Sequence, residues 1–195
     1  MKFLTTSIFS LLSLTIFAQT EIAAVSSIQS QATIRMAKST KRCKYFSANA
    51  PVTMADGSLK SIADVRVGEH VKTCKDGKTT TTQVRQIDVF NQPTSPLTAV
   101  YLRPAEDNAT SGSPIVPALL LEATPNHFVQ TNHGRKRMKK LSKKDILYHY
   151  EPSTGIVSSW KVGAVQENAR RVSKAYNLET VDGTYLVDNV MVANN

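Results

Sequence analysis

Three Asp-Gly pairs, at Asp56-Gly57, Asp76-Gly77 and Asp182-Gly183, each stand between short β-prone runs, and they constrain this chain more than anything else in it. Asp-Gly suits the two-residue hairpin turn, whose central positions need positive φ. Residues 79–90, 97–103, 115–122 and 156–165 supply the strands that such turns would connect. Pro93, Pro96, Pro104, Pro114 and Pro117 punctuate the middle and argue against long helices there. Residues 61–65 could form one helical turn with Ile62 and Val65 inward, and 142–146 another short turn. The expectation is an all-β chain with one core.

The beginning of the chain suggests a compartment. Met1-Lys2 gives a positive start, residues 3–17 form an apolar run diluted with Ser and Thr, and Ala18-Gln19 is a plausible cleavage junction. That run is short and hydroxyl-rich for a membrane span, so residues 1–18 read as a secretory signal peptide. No later stretch is long and apolar enough to cross a bilayer, and a secreted protein is expected. Residues 19–42 lack aromatics, are dominated by Ser, Gln, Ala and Thr, and end in Lys38, Lys41 and Arg42. They read as a flexible basic tail. The domain is then 43–195, long enough for a real core, and the 41% hydrophobic content suits a folded protein.

The net charge of +9 raises a nucleic-acid reading, because seven Lys and Arg lie between His133 and Asp145. No aromatics interleave that run, and no zinc-finger or RNA-binding signature accompanies it. It reads as a solvated hairpin, with weak binding to an anionic surface through Arg135, Lys136, Arg137, Lys139 and Lys140 as the residual. Asn108-Ala109-Thr110 is an N-glycosylation sequon. No cofactor or metal motif is present.

Three segments in order carry a family resemblance. Residues 51–71, PVTMADGSLKSIADVRVGEHV, give an apolar strand, Asp-Gly, a basic residue, a short turn, then Gly-Glu and Val. Thr124-Pro125-Asn126-His127 forms T-x-x-H before apolar Phe128-Val129. Residues 176–195, YNLETVDGTYLVDNVMVANN, close the chain as a strand, an Asp-Gly turn and two short apolar strands. Together they resemble the Hint domains of inteins and hedgehog proteins. Lys161-Val162-Gly163-Ala164-Val165 looks nearer the hedgehog branch than typical splicing inteins. The resemblance covers 43–195 and implies a compact horseshoe-like β fold of short strands and hairpins that cuts its own backbone.

It also implies roles. Cys43 would attack the Arg42 carbonyl and turn the Arg42–Cys43 amide into a thioester, with the N-terminal segment as substrate. His127 would donate toward the scissile nitrogen and Thr124 would hold and polarise that group. Asp88, after a mid-half strand, matches within about a residue the family's Asp that deprotonates an attacking alcohol; it reads equally as a polar strand end. The family's nucleophile usually stands twelve residues before the first Asp-Gly glycine, and counting back from Gly57 reaches Tyr45. Either Lys44-Tyr45 is an insertion after an active Cys43, or the nucleophile is lost and the domain is an inert secreted binding or structural module. In that second case a Cys43–Cys74 disulfide is the competing use of the two cysteines. Ala193-Asn194-Asn195 lacks the penultimate histidine of splicing inteins, so N-terminal cleavage alone is expected. Water or a small nucleophile is the expected acceptor, with a sterol open but not indicated. His133 and His149 match no motif and read as surface or structural residues.

Overall fold

The computed structural model describes residues 33–36, 44–75, 77–105 and 118–194, and of the first group only Ile34 has a described side chain. The expected signal peptide, most of the expected tail, Cys43 and the Asn108 sequon fall outside the described residues.

Among the described residues there is no α-helix, and the regular structure is strand apart from one short 3-10 turn. In order the strands are β1 (Thr33–Met36), β2 (Phe46–Ser47), β3 (Pro51–Thr53), β4 (Leu59–Ser61), β5 (His70–Lys75), β6 (Lys78–Asn91), β7 (Leu97–Pro104) and β8 (Leu119–Ala123). Then come β9 (Phe128–Thr131), β10 (Gly134–Arg137), β11 (Ile146–Tyr150), β12 (Val157–Arg170), β13 (Lys174–Thr180), β14 (Thr184–Val187) and β15 (Val190–Ala193). A 3-10 turn, Met138–Lys140, follows β10.

Two of the Asp-Gly pairs lie in hairpins, the second spanned by the expected two-residue loop and the first within a longer one closed by the Met54 N–H on the Ser58 carbonyl. Leu59 pairs with Thr53 across Asp56-Gly57, and Lys78 pairs with Lys75 across Asp76-Gly77. Gly57 and Gly77 have φ of 90° and 73°, which side-chain-bearing residues rarely adopt. Asp182-Gly183 behaves differently: it joins β13 of one sheet to β14 of the other, so the chain changes layer there. The tight hairpin lies one strand later, where Asp188 and Asn189, both at positive φ, let Val187 pair with Val190. Residues 61–65 form no helix, although Ile62 and Val65 are buried as their spacing suggested.

Strand order in the smaller sheet is β1-β6-β13-β2, with β5 also paired to β6. The larger sheet runs β4-β3-β14-β15-β9-β11-β12-β7-β8, with β10 on β9. Alternate residues face the core as a half-buried sheet requires: on β5 these are Val71 and Thr73 and on β6 Thr82 and Val84, whereas farther along β6 Ile87 and Phe90, three apart, join different clusters. Phe46, Val52, Val71, Leu102, Leu121, Val129, Leu178 and Tyr185 belong to one contiguous cluster. A smaller cluster joins Tyr45 to Phe90, Leu97 and Ala175. β1 comes from the expected tail, yet pairs in parallel with β6, Thr33 against Gln86 through Met36 against Val89. Main-chain pairing explains this, since Ile34 stays largely exposed.

Candidate functional site

Thr124 and His127 stand side by side because T-x-x-H is a β-turn. The His127 N–H donates to the Thr124 carbonyl at 3.0 Å, with Pro125 and Asn126 at the turn's centre, where those residue types favour a bend. Both side chains are buried, so the turn inserts its polar groups into the interior.

The chain enters β2 against this turn. The Tyr45 N–H donates to Thr124 Oγ1 at 3.1 Å, and the Thr124 N–H returns a bond to the Tyr45 carbonyl at 3.0 Å. The peptide nitrogen held by the threonine hydroxyl therefore belongs to the Lys44–Tyr45 bond. The Tyr45 ring is 1% exposed, packs 5.2 Å from the Phe90 ring, and its hydroxyl donates to the Ser95 carbonyl at 2.6 Å.

His127 lies against the Phe46 ring, centroids 4.3 Å apart. Its Nδ1 is 2.9 Å from the Phe128 carbonyl, which only accepts, so Nδ1 carries the proton of the neutral ring. Burial pushes its pKa down to about 4; the Phe128 carbonyl and Asn177 oppose the shift, and Lys44 and Arg135 add to it. The imidazole is uncharged at neutral pH. Its Nε2 has no hydrogen-bond partner within bonding geometry, and the Asn177 amide is the polar side chain that bears on it.

Asn177 is a site residue that the sequence reading missed. It is buried on β13 opposite Asp88 of β6, donating from Nδ2 to Asp88 Oδ2 at 3.4 Å while its Oδ1 stays unpartnered. Gln86 holds the other Asp88 oxygen at 2.7 Å. Asp88 thus reaches the histidine only through Asn177. The one local signal was a polar residue between apolar neighbours in Tyr176-Asn177-Leu178, which a strand pattern alone does not distinguish from a solvent-facing position.

Cys43 lies outside the described residues. Cys74 is a free, half-buried thiol on β5, its pKa raised by burial, so the structure makes no disulfide through it. His133 is exposed, and His149 is buried with Nδ1 2.9 Å from Glu151. The basic run divides. Lys136 pairs with buried Asp145 at 2.6 Å, Arg135 donates to the Asn194 carbonyl, and Lys139, Lys140, Lys143 and Lys144 are exposed.

Neither protein-family models nor curated proteins give a match to this chain. Solved structures do. A DnaB intein from Synechocystis sp. PCC 6803 matches with TM-score 0.60 and 18% identity, over 78% of this chain and 99% of that one. A bacterial intein-like domain from Clostridium thermocellum gives 0.55 and 22%, over 78% and 99%. An intein from a hyperthermophile gives 0.60 and 14%, over 78% and 100%. The fold is that of inteins and intein-like Hint domains. These three neighbours lend nothing to the hedgehog side of the sequence resemblance.

Proposed function

We propose that this chain is a secreted Hint-fold domain of the self-processing type that grips its own leading peptide at Lys44–Tyr45 and holds it uncut. The observation that carries this reading is the Tyr45 N–H bonded to Thr124 Oγ1, with the Tyr45 ring buried beside Phe90. An acyl shift needs a short-armed nucleophile on the residue whose nitrogen is gripped. The tyrosine hydroxyl sits at the far end of a rigid ring, engaged with Ser95, and cannot turn back on the Lys44 carbonyl.

Cys43 does not substitute for it in this register. Attack by its sulfur on the Lys44 carbonyl would close a ring containing the Cys43–Lys44 amide in the cis form, which costs about 2.5–4 kcal/mol. Attack on the Arg42 carbonyl closes a small, favourable ring. That bond, however, is two residues upstream of the gripped nitrogen, up to about 7 Å of extended chain. Bringing it to Thr124 means sliding the chain by two positions, which preserves the faces of β2 but drives Lys44 into the fully buried place of Phe46.

Autoproteolysis at Arg42–Cys43 through a thioester is the second reading. The buried, uncharged imidazole beside Thr124 favours it, being more acid–base machinery than a holding role requires. Under that reading the expelled amine of Cys43 takes a proton, and water or a thiol then attacks the thioester. Secretion rests on the pattern of residues 1–18, and the retained substrate is the chain's own N-terminal segment.

Intact mass under denaturing conditions, after long incubation with and without dithiothreitol, separates the two. An unchanged mass is expected. Thiol-dependent appearance of a fragment beginning at Cys43, abolished in Cys43→Ala, would replace holding by cleavage. Tyr45→Cys in a Cys43→Ser background tests the grip itself: thiol-induced cleavage should move to the bond before residue 45.

A further inference from the structure

Phe128 collects three cations. The Lys44 ammonium lies 4.5 Å from its ring centroid, and the Arg135 and Arg137 guanidinium carbons lie at 5.1 and 5.4 Å. Two elements bring them there. Arg135 and Arg137 alternate with Lys136 along β10 and share one face, while Lys44 leads into β2. Arg137 is the cross-strand neighbour of Phe128 in the β9–β10 pairing, so the ring lies under its side chain.

The charges of this group are not balanced. The ion pairs among the described residues are Lys60–Glu69, Arg85–Glu179, Lys136–Asp145, His149–Glu151 and Arg170–Glu122, and none includes Lys44, Arg135 or Arg137. Asp145, the acid nearest in sequence, is taken by Lys136 on the other face of β10. Arg135 spends one N–H on the Asn194 carbonyl, and the acid that acts on Lys44, Glu179, makes its ion pair with Arg85 at 3.5 Å instead. Cation–π attraction returns about 0.5–1 kcal/mol at an exposed ring, whereas three like charges around one side chain repel one another. Burial and both arginines push the Lys44 ammonium toward its neutral form, and Glu179 opposes them only in part. Three cations with one distant, already paired carboxylate leave room for an anion.

We propose that Lys44, Arg135 and Arg137 form a seat for one oxyanionic group, a sulfate, phosphate or carboxylate, above the Phe128 ring. The guanidinium fork of Arg137 matches a pair of oxygens on such a group, and Lys44 supplies a point charge beside it. The seat adjoins the grip: Lys44 is the acyl half of the held Lys44–Tyr45 peptide, and Phe128 follows His127 directly. A bound anion therefore ties the leading segment to β10 and strengthens the hold. The site rests on the cation geometry and stands whether or not the chain cleaves itself.

The test uses the full-length protein and inorganic sulfate, titrated at constant ionic strength against chloride and followed by the NMR signals of the arginine Nε–H groups. Sulfate should saturate the Arg135 and Arg137 signals, and chloride should not. Arg137→Gln should weaken sulfate binding roughly tenfold, the loss of one charge-assisted contact. Lys143→Gln with Lys144→Gln should change it less than twofold. Arg137→Lys, keeping charge without the fork, should fall between, and amide spectra matching the parent's should accompany each variant. A sulfated disaccharide binding more tightly than free sulfate identifies a glycan source, and equal binding identifies the free ion. The proposal is overturned if sulfate acts no differently from chloride, or if Arg137→Gln behaves like the Lys143 and Lys144 pair.

Discussion

Replacing Tyr45 by alanine probes the central claim about register. The ring is fully enclosed with Phe90, Leu97 and Ala175, and its hydroxyl bonds Ser95. Truncating a buried aromatic to alanine costs about 3–5 kcal/mol when the site cannot collapse. Here the ring is held between strands of one sheet and the start of β7, so relaxation is limited and about 4 kcal/mol is expected. Tyr45→Phe keeps the ring and removes only the hydroxyl, a loss of about 1 kcal/mol. Against a total stability of about 5–15 kcal/mol these effects are well separated. Urea unfolding followed by the fluorescence of Trp160, the sole tryptophan, reads both. With a slope of about 2 kcal/mol/M, the alanine variant should lower the midpoint by about 2 M and the phenylalanine variant by about 0.5 M. If the alanine variant loses under 1 kcal/mol, the ring is not seated beside Phe90. The slot would then be open to a chain slid by two residues, and the argument against cleavage at Cys43 would collapse.

Three further outcomes follow from the same geometry. Thr124→Val removes the acceptor of the Tyr45 N–H and should cost about 1–3 kcal/mol, with faster hydrogen exchange at that amide; unchanged exchange there would refute the grip. His127 binds its proton less readily folded, near pH 4, than unfolded, near 6.5, so its contribution is complete above about pH 6.5 and declines as pH falls toward 4. That shift amounts to about 3 kcal/mol. Asp188, raised to about 6 by burial and by Glu122, acts oppositely: its contribution is present below the usual carboxylate range and is lost as pH rises through about 6. Urea titrations of parent and His127→Gln from pH 7 to 4 isolate the histidine, since the parent alone should lose its share. Equal pH profiles would show that the imidazole is not buried uncharged. Replacing Lys139, Lys140, Lys143 and Lys144 together by Gln should change stability by less than about 1 kcal/mol, because exposed charges contribute little; a larger loss in thermal melts would mean that they shape the domain.

Much of the fold was legible because local chemistry decided it. The Asp-Gly pairs after β3 and β5 mark hairpins by backbone preference, and the period-two burial along β5 follows from the pleat. Asp182-Gly183 was read as another strand turn, but whether it closes a hairpin or hands the chain to a second sheet depends on which partners β13 and β14 find far away. β13 takes β6 and β2, and β14 takes β3 and β15. The site divides the same way. Thr124 and His127 were legible because one β-turn sets their proximity. Counting from Gly57 already raised Tyr45, but only the long-range bond to Thr124 shows which nitrogen the turn holds. Asn177 depends wholly on tertiary placement; Arg135 and Arg137 were visible in the basic run, but their convergence with Lys44 on Phe128 was not.

The parallel pairing of Thr33–Met36 with Gln86–Val89 gives the uncut chain an edge guard. β13 occupies one side of that stretch of β6, and β1 occupies the other. A four-residue strand whose Ile34 faces solvent has little apolar grip of its own, so it stays because the chain through Lys44 keeps it close, a matter of effective concentration. Severing that tether would set the strand adrift and bare four residues of β6 to pairing by foreign chains. A nicked sample would then betray itself first by clumping, well before any fragment was counted.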